Sequence, residues 1–324
     1  MQKFVFSFLF VMGLIGLAKF FSFSSYELSD DQSFMNHFNS KYSIFALPKP
    51  AAEVDFSEER VPLENPDIWE RFDKELLKNT YWQSNTLLLH KRANKYFPII
   101  EPILKSNGVP DDFKYLALIE SGLENVVSPA GATGFWQIMK GTAKEHNLEV
   151  TKEVDERYHL EKSTQAACTF LTEAKEKFGT WTLAAAAYNM GRTGLQKQIN
   201  RQQVETYYDL LLNTETSRYV FRILAVKEII ENPKQYGFHL REKDLYKHIP
   251  TYHITIDTAV EHWADFAQQH QINYKLLKIY NPWLRQSYLT NTKHTTYNIQ
   301  LPEKGHYTFS VSEVEKTTDS LSID

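Results

Sequence analysis

Across residues 61–236 the apolar positions recur at helical spacing, with few runs that alternate like strands. That pattern confines this part of the chain to packed helices, because a stripe repeating every 3.6 residues must be buried against a neighbouring stripe. Residues 84–105 read as one helix bent by Pro98 and Pro102, and Gly108 with Pro110 ends it. Asp111 is placed to cap a following helix over residues 112–121. Further helices are predicted over residues 163–177, 182–187 and 217–230. After Gly237 the period changes. Residues 252–256 and 296–301 alternate like strands, and 259–270 and 274–280 read as helices between them. The expected fold is therefore mainly α: a helical domain over 61–236, then a small βααβ domain over 250–303. Residues 24–60 mix Ser, Asp, Pro and Ala without sustained period and read as a linker. The polar stretch 304–324 reads as a disordered tail. No internal repeat is evident.

Lys3 precedes an almost wholly apolar run, residues 4–18, which is the pattern of a secretory signal. The run falls short of the roughly 20 residues of a spanning helix. Phe20, Phe21 and Phe23 extend its apolar character, and the small-x-small cleavage pattern is poor around residues 17–19. Residues 1–23 thus read as a signal peptide or as a signal anchor, and both imply export to the periplasm or cell envelope, with membrane anchoring in the second case. No cysteine follows the run, which excludes a lipid-modified cysteine there.

The net charge of −4 is spread over interspersed acidic and basic residues. With no basic block to neutralise phosphates, nucleic acid is not an expected partner. Cys168 is the single cysteine, so an intrachain disulfide is impossible and the residue reads as a small buried hydrophobe. Among 11 histidines none shows a metal-binding spacing; His146, His159 and His253 read as packing or surface residues, and no metal or other cofactor is expected. The absence of a G-x-x-x-x-G-K loop removes nucleotide-driven functions.

The chemistry begins in the helix over 112–121. Phe113, Leu116, Ala117 and Glu120 share one stripe, so an acid ends an otherwise apolar line. Such a carboxyl must be paired or protonated, and desolvation raises its pKa toward what a general acid near neutral pH needs. A buried glutamate bonded to backbone or arginine is the commoner outcome of this pattern, and from the helix alone both readings stand. Downstream, Ser128 to Thr133 is a small-residue loop that leads into Gly134-Phe135-Trp136-Gln137. Its glycines allow close approach to the backbone, and Gln137 offers a donor and an acceptor of the kind sugar hydroxyls and acetamido groups use. A run of alanines, Ala184 to Ala187, then presents Tyr188-Asn189-Met190-Gly191. The generous aromatic content, 14%, suits sugar faces, although most such rings belong to cores.

Taken in order, Glu120-Ser121, Gly134-Phe135-Trp136-Gln137, Ala187-Tyr188-Asn189-Met190-Gly191, and Glu215-Thr216 with Tyr219-Val220 resemble four motifs of the lytic transglycosylases in the soluble-transglycosylase and goose-type lysozyme superfamily. Asn107-Gly108-Val109-Pro110 and Ser128-Pro129-Ala130-Gly131-Ala132 fall where that family has related segments. The resemblance spans roughly residues 80–230 and is strongest to the membrane-bound, type D subgroup. It departs at Phe135-Trp136, where many members carry a smaller aliphatic pair, a change expected to reshape the groove. Residues 256–258, the helical stretch through Trp263 and Phe266, Asn281 to Leu284 and residues 297–302 resemble a degenerate LysM module, which implies binding of N-acetylglucosamine-containing glycans. Ile256 stands where glycine is usual, and residues 285–294 are long and polar.

The resemblance implies a lysozyme-like domain that acts on the glycan strands of peptidoglycan. Glu120 is expected to protonate the oxygen between N-acetylmuramic acid and N-acetylglucosamine, with the substrate's own acetamido group replacing a second carboxylate. Glu120 would then deprotonate the 6-hydroxyl and close a 1,6-anhydro ring. Tyr188 and Tyr219 are expected to orient Glu120 or the acetamido group, Gln137 and Asn189 to bind substrate, and Ser121 to hydrogen-bond near the acid. Glu124 is the rival carboxylate, and a groove-facing Glu124 would favour a hydrolytic muramidase. Glu215 reads as structural. A non-catalytic peptidoglycan-binding protein is the third reading.

Overall fold

The computed structural model describes residues 53–306, together with 46–50 and a few helical residues between 32 and 36. The predicted signal or anchor, most of the predicted linker and the predicted tail past residue 306 lie outside the described residues. Strands β1 (Asp55–Phe56) and β2 (Glu59–Arg60) form a hairpin. The helices α1 (Pro66–Tyr81), α2 (Gln83–Ser106), α3 (Phe113–Ser121), α4 (Lys140–Glu145), α5 (Leu160–Phe178), α6 (Trp181–Met190), α7 (Arg192–Gln202) and α8 (Thr214–Glu231) follow. A second group comprises β3 (Thr251–Ile256), α9 (Trp263–Gln269), α10 (Tyr274–Tyr280) and β4 (Tyr297–Pro302).

Local chemistry sets these bounds. The Asn65 side chain accepts from Asp67 N ahead of Pro66, and α1 then buries Ile68, Phe72 and Leu76 at four-residue spacing against α8. Helix α2 continues through Pro98 and Pro102, both of which stay exposed. Ala184 to Ala187 are fully buried, so α6 lies tightly between α5 and α8. Helix α3 packs on α2 and α8, which places its C-terminal end where the site will form.

Two expectations change. Asp111 does not cap α3: its carboxylate takes Lys114 Nζ, while the residue at the cap position, Asp112, accepts from Ser57 N at 2.6 Å and Lys227 Nζ at 2.8 Å. The pull of those tertiary donors outweighs the local cap. The hairpin at residues 55–60 is also part of the fold, although the sequence places it in the linker. Phe56 is fully buried and meets Phe113 edge-on, and the Glu59 carboxylate accepts from Trp181 N and Thr182 N at the start of α6, where an anion suits the helix dipole.

In the second group β3 and β4 pair antiparallel, with Ile254 opposite Ile299, and α9 packs on α10. The βααβ order holds, although α9 starts at Trp263 rather than residue 259. Its core of Trp263, Leu277, Ile299 and Leu301 also takes in Val154 and Tyr158 of the helical domain. Asp155 N donates to Trp283 O at 2.9 Å, Arg285 N to Glu153 O at 2.7 Å, and the Tyr297 hydroxyl to Glu149 at 2.8 Å. His159 stacks on Trp283, and the Arg285 guanidinium lies 4.0 Å from the Tyr158 ring centre.

Candidate active site

Glu120 is the penultimate residue of α3. Gly122 in the left-handed region, φ 63°, closes that helix with its N–H donating to Leu118 O, and Leu123, φ 56°, turns the chain a second time. The apolar stripe below Glu120 is completely buried at Phe113, Leu116 and Ala117. The acid lines a surface cavity bounded by α1, α2, α3 and α8. Burial raises its pKa above the ordinary 4.5, and Glu215 adds to that rise. Opposing this, the Tyr219 hydroxyl donates to Glu120 Oε1, and the Arg222 guanidinium favours the charged form. Arg222 also donates to Ile119 O at 2.8 Å, which fixes the cation beside the acid. The arrangement is a half-buried carboxyl whose charged form the Tyr219 phenol and the Arg222 guanidinium are positioned to stabilise.

Of the other residues singled out in the sequence, Ser121 lines this cavity and Gln137, Tyr188 and Asn189 do not, and their polar groups hold the protein together. The Ser121 hydroxyl donates to Phe135 O at 2.8 Å and so ties the end of α3 to the glycine-rich loop. The Tyr188 hydroxyl donates to Trp136 O at 2.7 Å rather than to Glu120. Gln137 Nε2 donates to Gly134 O at 2.8 Å and Val126 O at 3.1 Å, bracing the loop from within. Asn189 Nδ2 donates to Glu215 at 3.1 Å, and its Oδ1 accepts from the Thr216 hydroxyl, which links the end of α6 to the start of α8. Trp136 is fully buried with Nε1 donating to the Thr164 hydroxyl at 2.8 Å, so the ring packs the core and does not line the groove.

Arg222 is the residue that sequence reasoning missed. Its signal was its place three residues after Tyr219 on one helix, which puts both side chains on one face. Arg157 was missed as well. Buried and bidentate to Asp155, it donates to Gly131 O at 3.1 Å and Ile138 O at 3.3 Å, clamping both ends of the loop that carries Gln137. Glu124 lines the cavity of Glu120 but accepts from Arg92 Nη2 at 2.6 Å. Among the described residues no group of three or more His, Cys, Asp or Glu side chains is gathered as for a metal ion.

Residues 97–210 match the transglycosylase SLT domain, and residues 252–305 match the soluble lytic transglycosylase C-terminal LysM-like domain. The chain is 31% identical over 232 residues to membrane-bound lytic murein transglycosylase D of Escherichia coli strain K12, and equally to its counterpart in strain O6:H1; the alignment covers 70% of this chain and 50% of those proteins. The chain thus spans about half the length of those curated relatives. A putative tributyltin chloride resistance protein of Alteromonas sp. strain M-1 is 28% identical over 126 residues, which is 38% of this chain and 61% of that protein. Glu120, Gln137 and Asn189 fall inside the matched SLT segment, whereas Tyr219 and Arg222 lie past its end. The chain thus carries, in this order, a segment similar to the transglycosylase SLT domain and one similar to the C-terminal LysM-like domain of soluble lytic transglycosylases.

Proposed function

We propose that this protein is a peptidoglycan lytic transglycosylase and that Glu120 is its single acid/base. Glu120 protonates the glycosidic oxygen as the bond from the anomeric carbon of N-acetylmuramic acid breaks. The muramic 6-oxygen then bonds to that carbon, its proton passes to Glu120, and the 1,6-anhydro product leaves. The observation that carries this reading is the desolvated Glu120 carboxyl, with its raised pKa, bonded by Tyr219 at the wall of an open cavity. A group that begins protonated can give its proton, and the phenol and Arg222 then stabilise the anion that must act as base. Ser121, Tyr188 and Asn189 support the site through their bonds to the loop and to α8, and Gln137 belongs to the loop they hold.

Export to the cell envelope belongs to the same proposal, supported by Lys3 with its apolar run and by the membrane-bound description of the E. coli relatives. Among the described residues no helix is long and apolar enough to cross a membrane.

Glu124 lining the same cavity favours a hydrolytic muramidase as the second reading, but its bond to Arg92 opposes a role as base or nucleophile. Digestion of purified sacculi followed by mass spectrometry separates the two. Anhydro-muropeptides are expected, and products heavier by one water would assign hydrolysis instead. Glu120→Gln is expected to lower the cleavage rate at least about 100-fold, and a variant that still cleaves would remove Glu120 from the mechanism.

A further inference from the structure

One face of α2 carries Asn85, Leu89, Arg92, Tyr96, Ile99 and Ile103, spaced alternately four and three residues apart, so that they form a line along the helix. All six line surface cavities, and they do so in order. Asn85, Leu89 and Arg92 border the cavity of Glu120, and Arg92 and Tyr96 border the next. Tyr96 and Ile99 border a third, whose opposite wall includes Tyr280 and Gln300 of the LysM-like domain. Ile99 and Ile103 border a fourth, again with Gln300 opposite. Each cavity shares wall residues with its neighbour, so the four follow one another along this face of α2. From Asn85 to Ile103 the helix rises about 27 Å, far more than the two sugars that flank a scissile bond occupy.

The far part of this row of cavities is a fixed surface. Asp155 N to Trp283 O, Arg285 N to Glu153 O and the shared core around Val154 and Tyr158 set the two domains against each other. Its chemistry suits a polymer of N-acetylated sugars. The Tyr96 ring meets Phe135 edge-on at 4.8 Å and remains part-exposed, the Asn125 amide is exposed at the mouth, and Gln300 donates to the Thr251 hydroxyl at 2.8 Å on the opposite wall. Rings for sugar faces and amides for acetamido groups thus stand along one line.

We propose that the seam between the two domains is a distal glycan-binding site, and that a strand of β-1,4-linked N-acetylhexosamines runs from Glu120 along the α2 face into it. The LysM-like domain then contributes to binding through the side it turns toward the catalytic domain. Long strands are selected over short fragments because only they reach the seam. This inference rests on the reading of Glu120 as the acid, since the strand is traced outward from the bond at that residue.

The test is chain-length dependence in the full-length protein. With peptide-free glycan strands of graded length, KM is expected to fall about tenfold from tetrasaccharide to long strands, the equivalent of about 1.4 kcal/mol of added contact. In Asn125→Ala and Gln300→Ala the ratio of long-strand to short-strand kcat/KM is expected to drop toward one, through KM rather than kcat. Asn125 is an exposed loop residue, so its variant decides the matter even if Gln300→Ala folds poorly. In parallel, calorimetry reads the affinity of Glu120→Gln for oligomers of N-acetylglucosamine, which should rise with length and flatten when Asn125→Ala is added. A wild type without length preference in cleavage and binding, or variants that keep it, would overturn the proposal. A wild type that binds long oligomers more tightly but cleaves nothing would instead remove the catalytic reading and keep the distal site.

Discussion

Glu120 is held between opposed influences, and each can be removed singly. Burial and Glu215 favour the protonated acid, whereas Tyr219 and Arg222 favour the carboxylate. On the proposed role of Glu120 as the acid, the enzyme that binds substrate needs the proton, so activity is expected to fall as pH rises through the pKa of Glu120. Tyr219→Phe and Arg222→Gln each take away a stabiliser of the anion and raise that pKa further. The alkaline limb of the kcat/KM profile is therefore expected to move to higher pH in both variants, while kcat in Tyr219→Phe drops about tenfold through loss of a bond worth on the order of 1.5 kcal/mol. Arg222→Lys keeps the charge and should restore most of the wild-type limb. A limb that moves to lower pH would show that the two residues do not act on Glu120 as argued. The same burial has a consequence for stability. A carboxyl whose pKa is raised in the fold stabilises it below its unfolded value, near 4.5, and that contribution is lost as pH rises through the folded value. Glu120→Gln is thus expected to melt higher than the wild type at alkaline pH, with the difference shrinking as pH falls toward 4.5. The burial of a carboxyl at position 120 was legible in the sequence, because an acid at the end of the stripe of Phe113, Leu116 and Ala117 is a conspicuous break. The partners of Ser121, Tyr188 and Asn189 were not, since a hydroxyl or amide does not reveal which carbonyl the fold will bring to it.

At the scale of elements, the loop over 128–138 behaves as a clamped part. A Cβ at Gly134 would lie 2.1 Å from the Arg157 carbonyl oxygen, and Gly134 has φ +82°, so both space and backbone demand glycine. Gly134→Ala is expected to destabilise the protein by about 3 kcal/mol or more, read from denaturant melts. Gly131→Ala supplies the comparison: φ is +85° there but nothing lies within 4 Å, so the loss should stay near the roughly 1–2 kcal/mol of left-handed backbone alone. Equal losses would mean that the contact with Arg157 is not rigid. Helix α2 offers a second element test. His90 is buried against Phe238 with Nε2 unpartnered, and burial lowers its pKa to about 4. A histidine with a lowered folded pKa supports the fold above its unfolded value of 6.5 and loses that support as pH falls toward 4. His90→Leu should flatten stability between those limits by roughly 3 kcal/mol. The legible elements were those with dense periodicity. Helix α10 was found at its true bounds and α2 within a residue at each end, because apolar positions or breakers mark both ends. Helix α7 buries only Leu195, so no stripe announced it. The β1–β2 hairpin turns through Ser57 and Glu58, both with positive φ, and neither residue type signals such a turn.

For the whole molecule the decisive feature is that the core of the LysM-like domain takes in two residues of the helical domain. Val154 and Tyr158 lie in the cluster of Trp263, Leu277 and Ile299, and Thr290 N donates to Glu153 Oε2 at 2.7 Å beside the backbone bonds of the seam. Strand alternation and helix periods lead to the expectation of two domains because each part keeps its own pattern. They could not reveal the seam, since Val154 and Tyr158 carry no mark of the partner they pack on. The seam also reaches the site: Trp283 O holds Asp155 N, Asp155 holds Arg157, and Arg157 holds the carbonyls of Gly131 and Ile138 on either side of Gln137. Two parts joined by a flexible connection alone would melt separately, whereas parts that share buried surface melt together. Scanning calorimetry is therefore expected to show one endotherm, with the calorimetric enthalpy close to the van't Hoff value. Trp283→Ala empties the middle of the seam, removing the ring between His159 and Tyr297, and is expected to cost about 3–5 kcal/mol. It should also split the endotherm and, through Asp155 and Arg157, lower kcat on sacculi even though Trp283 lies outside the cavity of Glu120. Two resolved transitions in the wild type would show that the two domains fold independently, and an unchanged kcat in Trp283→Ala would show that the seam does not act on the site.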